Sequence, residues 1–364
     1  MRFCIPRMSA PRGAGLGNEL FGWSKAFLAS EVLGAKLLHP AFGLNRRLYH
    51  RDFGTSRFDW LGQRLLTTSL PVVEFDEDAY RATGKDDFEE AVAEFAEREG
   101  LLKRHSYVFA VSGMWGGFLA IRKARTFVMA ELLKSRNAVS NIHSTLRNVD
   151  PEKLLVAVHI RRGDFTPVSN EVDYRGRFNV ALPIDWYLET CASLEEALPG
   201  RIQFLLLTDA SEASVKPLLD RFDALTTSHL SHTTSSDLLL MGMADSIVCS
   251  VSSFSMWGAF LSDAPYFWFA PNLQAHAEYA SLWGNEQAEQ KGGVTDRNLR
   301  AVLAAKNDGG KISRGVPIGI DGTIPPSAAE VLEIRLRTRA LSRDLIYSGV
   351  APVPASPHQP ERDR

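Results

Sequence analysis

A chain of 364 residues is long enough for two domains of ordinary size, and its 45% hydrophobic and 23% charged content is that of a folded globular protein. With 41 basic against 43 acidic side chains the net charge is −2, which lacks the basic excess of a nucleic-acid binder. Three scattered cysteines, Cys4, Cys191 and Cys249, form no Cys-x-x-Cys pair, so a disulfide framework and a thiolate zinc site are both excluded and a reducing compartment fits.

In chain order, Arg2–Pro6 reads as a first strand and Arg12–Asn18 as a glycine-rich loop. Apolar residues from Leu20 to Leu33 then recur at helical spacing, with Gly34 as the stop and Ala35–Leu38 as a second strand. This is the opening of a doubly wound domain. Residues 76–100 are acidic and helical, and residues 118–146 read as one long helix ending near Asn148-Val-Asp-Pro151. The boundary between an N-terminal domain (1–150) and a second domain (151–330) is placed there.

The second half alternates more cleanly. Leu154–Ile160, Ile202–Leu207, Ser246–Ser250 and Tyr266–Phe269 read as strands, the last of these closing the sheet. Helices are predicted over Asp185–Leu198, Ser211–Arg221, Asp237–Ala244 and Phe254–Leu261. Strands alternating with helices imply a parallel sheet covered on both faces. Residues 307–326, rich in Gly, Pro and charge, read as loop. Residues 331–364 read as a last helix and a Pro-rich tail, disordered from Ala351. No apolar run approaches the ~20 residues of a membrane span. Met1–Pro6 is too short for a signal-peptide core. A cytoplasmic protein is expected, with peripheral membrane contact left open.

Three motifs carry chemistry. The first is His159-Ile-Arg161-Arg162-Gly-Asp164, which leaves the end of a buried strand. In α/β folds ligands sit at the carboxyl ends of parallel strands, and guanidinium forks onto phosphate oxygens. Adjacent arginines on a strand point to opposite faces, so one of the two is free to be structural. The Arg-Gly-Asp tripeptide abuts a buried strand, which argues against adhesion. The second motif is Gly15-Leu-Gly17-Asn18-Glu19-Leu20, a Gly-x-Gly that brings backbone and a helix start close to an anion. The full Gly-x-Gly-x-x-Gly register is broken, and no acid ends the next strand, so a dinucleotide site is disfavoured. The third runs from Asp237 to Ser255, where a buried strand leads into Ser252-Ser253 before a helix, again offering hydroxyls and free N–H groups. Asp237 is either a helix N-cap or an acceptor for a base edge. No Gly-x-x-x-x-Gly-Lys-(Ser/Thr) loop and no carboxylate cluster for a metal point to a kinase or phosphatase.

Taken together, Gly15-Leu-Gly-Asn-Glu-Leu-Phe21, His159–Phe165 and Asp237–Ala259 resemble, in this order, the α-1,2-fucosyltransferase family (glycosyltransferase family 11) and the wider His-x-Arg-Arg fucosyltransferase group. The likeness covers roughly residues 10 to 270. It departs from the family pattern at Glu19, Val251 and Met256, where Gln, Asn and Trp are usual. The resemblance implies a GT-B fold, two Rossmann-like domains facing a cleft, with the acceptor on the first and the donor on the second. It implies inverting transfer of L-fucose from GDP-fucose, used as a substrate with no cofactor and no essential metal, to a hydroxyl of a glycan, lipid-linked glycan or small molecule. His159 and Asp237 would then meet guanine, Arg161 and Ser253 the β-phosphate, and Asp209 an atom near the nucleotide. Gly15, Gly17, Asn18, Arg162 and Ser252 complete the expected donor frame. Arg161 is the main expected catalytic residue, with Asp164, Glu171 and Glu19 as candidate bases and Asp164 ranked first. The alternatives are a transferase for another nucleotide sugar or a secondary-metabolite acceptor, and a non-catalytic nucleotide-sugar binder.

Overall fold

In the computed structural model the described residues are 1–7, 13–53, 55–85, 87–167, 180–262, 264–272, 315–326 and 328–337. The chain enters through β1 (Arg2–Pro6) and passes through the glycine loop into α1 (Leu16–Leu33). That helix begins earlier than its apolar spacing predicts. Gly15 holds an extended backbone, and its carbonyl already accepts from the N–H groups of Asn18 and Glu19. Gly17, Asn18 and Glu19 are therefore residues of the first helical turn, not of a loop. The stop is Gly34, whose φ of 55° suits a residue without a Cβ.

β2 (Lys36–Leu37), α2 (Asp59–Ser69), β3 (Val72–Phe75), α3 (Glu77–Thr83), α4 (Phe88–Arg98) and β4 (Tyr107–Val111) follow. The four strands form a sheet in the order β2-β1-β4-β3, every pair parallel. Sequence reasoning passes over α2, β3 and β4. β3 is too short to show alternation, and β4 is uniformly apolar because it is buried throughout, which leaves no period to detect. The single helix expected over residues 118–146 is broken into α5 (Gly117–Ala120), α6 (Arg125–Leu133) and α7 (Arg136–Leu146). A 3-10 turn at Arg122–Ala124 separates the first two. The Ser135 hydroxyl, accepting from the N–H of Ala138, starts the third afresh.

The second half contains β5 (Leu154–Ile160), β6 (Thr166–Pro167), β7 (Val180–Ala181), α8 (Ile184–Ala197), β8 (Ile202–Thr208), α9 (Glu212–Phe222), β9 (Leu225–Thr226), α10 (Thr234–Met243), β10 (Ser246–Val248), α11 (Ser253–Leu261), β11 (Tyr266–Phe269) and β12 (Gly315–Ile318). β6 and β7 pair with each other, to one side. β12 corrects two expectations. It pairs with β11, so Tyr266–Phe269 is not the last strand, and part of 307–326 is not loop. A Gly and a Pro in a four-residue edge strand hide it from pattern reading. Residues 307–314 and the expected tail, 338–364, lie outside the described residues.

This sheet runs β12-β11-β10-β5-β8-β9, all parallel. Counted from β5, that is the 3-2-1-4-5-6 order of a doubly wound sheet, whose strand order reverses between β5 and β10. The architecture is thus two parallel, helix-covered α/β sheets, as expected. β5 is buried on both faces. Leu155 and Ala157 pack with α10 and α11, while Leu154, Val156, Val158 and Ile160 pack with α8 and α9.

The two halves are joined where the start of α1 meets α11. The indole Nε1 of Trp257 donates to the Gly17 carbonyl at 2.5 Å, and its ring lies 5.0 Å from those of Phe21 and Phe118. A Cβ on Gly17 would stand 3.0 Å from Ser253 Oγ and 3.1 Å from Trp257 Cδ1. Gly17→Ala is therefore expected to destabilise the protein by about 1–3 kcal/mol through overpacking. Urea unfolding followed by tryptophan fluorescence measures it. An unchanged midpoint would show that the contact yields freely.

Candidate functional site

β5 and β10, the strands on either side of the order reversal, end in the first and third sequence motifs, so their carboxyl ends form the site expected of this sheet. Strand alternation sorts the motif. His159 continues the Leu155–Ala157 row toward α11, and Arg161 follows it. Arg162 turns to the opposite face, where its Nη1 donates to the Leu182 carbonyl at 2.9 Å. Arg162 is thus tied to the fold through its side chain, while Arg161 lines the carboxyl end of the sheet.

The His159 Nδ1 hydrogen-bonds to the hydroxyls of Ser255 (2.6 Å) and Ser250 (2.9 Å), and the N–H of Ser250 donates to Ser255 Oγ. Phe254 lies tilted against the ring at 5.1 Å. Burial, reinforced by the Arg161 charge and opposed by Asp209, pushes the imidazole down to about 3, so it is neutral at ordinary pH. The tautomer that lets a serine hydroxyl donate to Nδ1 carries its proton on Nε2. Ser250 and Ser255 escaped the sequence reading as site residues, although both lie in the third motif.

Arg161 is held from two sides. Its Nη1 lies 2.7 Å from Asp209 Oδ2 and its Nη2 donates to Asp164 Oδ1 at 2.5 Å, with the Phe165 ring 5.3 Å beneath the guanidinium. Asp209, at the end of β8, also accepts from the backbone N–H groups of Arg162 (2.8 Å) and Gly163 (3.2 Å) through Oδ1. A Cβ at Gly163 would come within 2.5 Å of Asp209 Oδ2, which explains the glycine in the motif. Burial works to raise the Asp164 carboxyl. The charge and hydrogen bond of Arg161, with Arg47 behind, outweigh it and hold the group below the usual carboxylate range.

Arg47 is the second cation here, and sequence reading missed it. Its Nη2 lies 3.3 Å from Asp164 Oδ2 and its Nε donates to the Gly13 carbonyl, which links the glycine loop to the arginine loop. Leu48, beside it, takes a left-handed φ of 59°, a strained turn for a non-glycine residue, and Tyr49 follows, buried. Burial pushes the Tyr49 hydroxyl up to about 12, against the charges of Arg47 and Arg161 and a backbone hydrogen bond at Leu16. Glu19, also buried, accepts from Asn45 Nδ2 at 3.4 Å, and the same amide donates to the Ala14 carbonyl. The repeated arginine pair Arg46-Arg47, in a loop with an aromatic, was the signal available for these residues.

The start of α1 faces the start of α11. The Ser253 hydroxyl donates to Asn18 Oδ1 at 3.1 Å, while that of Ser252 accepts from the N–H of Phe254 as an N-cap. Two helix N-termini thus meet, and Tyr49, hydrogen-bonded at Leu16 on the first of them, feels the charges of both Arg47 and Arg161. Gly15 has open space where a Cβ would be, whereas Gly17 is fully used in the contact with Trp257. Asp237 is not an N-cap, because α10 starts at Thr234. It sits in the first turn and accepts from Thr227 Oγ1 at 3.1 Å, just beyond the end of β9. Burial raises its carboxyl to about 7, against hydrogen bonds from Thr233 and Thr227. Val251 and Met256, both departures from the family pattern, pack partly buried against the cores. Glu171 lies outside the described residues. Among the described residues no group of three His, Cys, Asp or Glu side chains is placed to hold a metal.

Residues 123–293 match the family model described as glycosyl transferase family 11, and the protein is a glycosyltransferase. Among solved structures, the chain is similar to the fucosyltransferase NodZ from Bradyrhizobium at 14% identity, with 72% of this chain and 93% of that one covered and a TM-score of 0.40. The corresponding values for POFUT1 in complex with GDP are 13%, 73%, 97% and 0.41. For the wall teichoic acid polymerase TagF they are 15%, 62%, 43% and 0.28. The fold stands on its own strand order. No curated protein matches the sequence.

The buried imidazole has a consequence for stability. Its folded value, about 3, lies below the ordinary 6.5, so the fold binds one proton fewer than the unfolded chain between those limits. Stability from this group is complete above about 6.5 and is lost as pH falls toward 3, by up to about 1.4 kcal/mol per pH unit. Against His159→Gln, wild type should show the steeper loss in urea midpoints between pH 6.5 and 4. Parallel profiles would mean that His159 takes up its proton without unfolding.

Proposed function

We propose that this glycosyltransferase, with family 11 character over residues 123–293, transfers L-fucose from GDP-fucose to a hydroxyl of a glycan or glycoconjugate, with inversion. The observation that carries the reading is the Arg161 guanidinium, fixed by Asp209 and Asp164 at the strand-order reversal, with the N-termini of α1 and α11 beside it. This is a preorganised field for a leaving diphosphate. In inverting transfer the bond from the anomeric carbon to the β-phosphate oxygen breaks as the acceptor oxygen attacks the opposite face. The charge develops on the departing GDP. Donors already aimed at that charge need little reorganisation, and such fixed electrostatics is commonly the largest part of the catalysis.

Each side chain then has a task. Arg161 meets the β-phosphate, and Arg47 approaches the same anion from the first half. Asp164, more than half exposed at 56%, is the ligand of both arginines that the phosphate would replace. Its lowered carboxyl makes it a weak base, so its role is to keep the two guanidinium groups in place before the donor arrives. Glu19, the other candidate base, is held at the start of α1 by Asn45. A dissociative step asks little of a base, and neither carboxylate has to supply one. His159, neutral, offers a ring N–H to the nucleobase, and Asp237 accepts from the N–H edge of guanine. GDP-fucose enters as a substrate, and no separate cofactor takes part in this reading. The acceptor would lie toward the first half, and family resemblance is weaker there.

Two measurements test it. Calorimetric titration of GDP, GDP-fucose, UDP and ADP should show tight binding of the guanine ligands alone. Arg161→Ala should weaken GDP binding and lower kcat by roughly 10²–10³, the loss of one oxyanion donor. Asp164→Asn should cost far less. Equal binding of all four nucleotides would remove the guanine assignment.

Asp237 supplies the second. A carboxyl at about 7 that receives N–H donors from guanine must release its proton on binding. GDP affinity should therefore fall as pH drops below 7, by up to about tenfold per unit, and level off above. Proton release, read from binding heats in buffers of different ionisation enthalpy, should vanish in Asp237→Asn. A release that persists in the variant would place the titrating group elsewhere.

A further inference from the structure

α2 is unusual among the described helices because none of its residues is buried. Its inner side is plain: Leu66 and Leu70 rest on the small cluster formed by Phe3, Ile5, Val108 and Ala110 on one face of the first sheet. Its outer side is apolar too. Phe58 at the N-cap, Leu61 and Leu65 recur at helical spacing on one stripe, and they are 63%, 47% and 67% exposed. These are three of the few large apolar side chains left open on the described surface, and no described residue covers them.

The charge around the stripe has one sign. Arg57, just before the helix, and Arg64 on it are exposed beside the stripe, and Arg46 and Arg51 are exposed on the loop that leads into it. Arg51 and Arg57 stand near enough to His50 that their charges, after burial, hold its imidazole below the ordinary value. The nearby acids are withdrawn: Asp52 is buried, and Asp59 folds back to accept from the N–H of Ser56. A protein with a net charge of −2 thus presents four exposed arginines around an aromatic and aliphatic stripe, with Asp59 the half-buried acid beside it. The rim is continuous with the site, because Arg47 of the same loop reaches Asp164.

From this arrangement we infer that α2 is a docking surface for an anionic lipid bilayer. Leucine and phenylalanine side chains enter the boundary between headgroups and acyl chains, while the arginines meet lipid phosphates. A second copy of the chain is a poor occupant, since pairing the two stripes would bring like-charged rims together. The surface holds the arginine loop, and with it the mouth of the site, against the membrane. There a sugar acceptor carried on a lipid is concentrated at the site. The lipid-linked acceptor class rests on the proposed transferase function, but the docking itself does not.

The test is flotation of the full chain with vesicles of phosphatidylcholine, alone or mixed with phosphatidylglycerol, at low and high salt. Binding is expected to the mixed vesicles at low salt and to fall as salt screens the charges. Arg57→Ala combined with Arg64→Ala should weaken it by roughly thirtyfold. Leu61→Asp combined with Leu65→Asp should abolish it. GDP binding by each variant confirms that it has folded, and it stands or falls with the donor reading separately from the flotation result. Absence of binding to the mixed vesicles overturns the proposal, as does equal binding to both kinds. So does salt-insensitive binding, or self-association of the wild type that the leucine variant removes.

Discussion

The carboxylate of Asp209 accepts from two consecutive backbone N–H groups with one oxygen and pairs with the Arg161 guanidinium through the other. Those bonds turn the chain sharply after β5 and fix the direction of Arg161, the arginine that lines the carboxyl end of the sheet. Most other features of the site follow from them. Gly163 has no side chain because the carboxylate occupies that space. Arg162 is thrown to the far face, where it holds the Leu182 carbonyl. Asp164 returns to the second edge of Arg161. A guanidinium held on two edges, with a ring beneath it, loses little freedom when an anion arrives. That is the condition for electrostatic preorganisation.

The second constraint is the contact between the halves. Trp257 and Ser253 of α11 reach Gly17 and Asn18 of α1, and the aromatic cluster of Phe21, Phe118 and Trp257 continues the contact into a shared core. The two helix starts cannot separate without breaking these bonds and exposing that cluster. The glycine loop therefore acts less as a free cradle for a ligand than as a joint that brings one helix N-terminus to another. α7 adds to the joint from the other side, where Asn141 donates to the Ser231 carbonyl and to Ser236 on α10.

Much of this was legible in the sequence, and the exceptions have physical causes. β5, β8 and α8 between them announced themselves because each is long and bounded by Gly, Pro or charge. The pair Arg161-Arg162 could be read as one functional and one structural arginine from strand alternation alone, though not which was which. The side was decided by Leu182, a backbone carbonyl from a loop with no pattern. β3 and β4, at four and five residues, were missed because they are too short to show a period or, unlike β5, to stand out as an apolar run. The start of α1 was misplaced because its first turn holds Gly17 and Asn18, which meet α11, and Glu19, which accepts from Asn45, rather than residues of high helix propensity. Arg47, Tyr49 and Asn45 come from an irregular segment stabilised by tertiary bonds, where the Arg46-Arg47 pair beside an aromatic is a weak local signal and no periodicity adds to it.

Charge and burial divide the labour inside the site. His159 and Asp237 are both buried polar groups, and each is pushed toward its neutral form, down to about 3 for the imidazole and up to about 7 for the carboxyl. Arg161 cannot neutralise, so its burial has to be offset by carboxylates, and two are supplied. In the proposed reaction the neutral imidazole donates to an uncharged nucleobase, while Asp237, at about 7, gives up its proton to accept from it. The permanent cation suits a diphosphate, where charge dominates. A site that instead placed a titrating group against the phosphate would lose its hold on the leaving group as pH rose. In the proposed reaction this arrangement would confine titration to recognition and keep Arg161, at the leaving group, charged throughout.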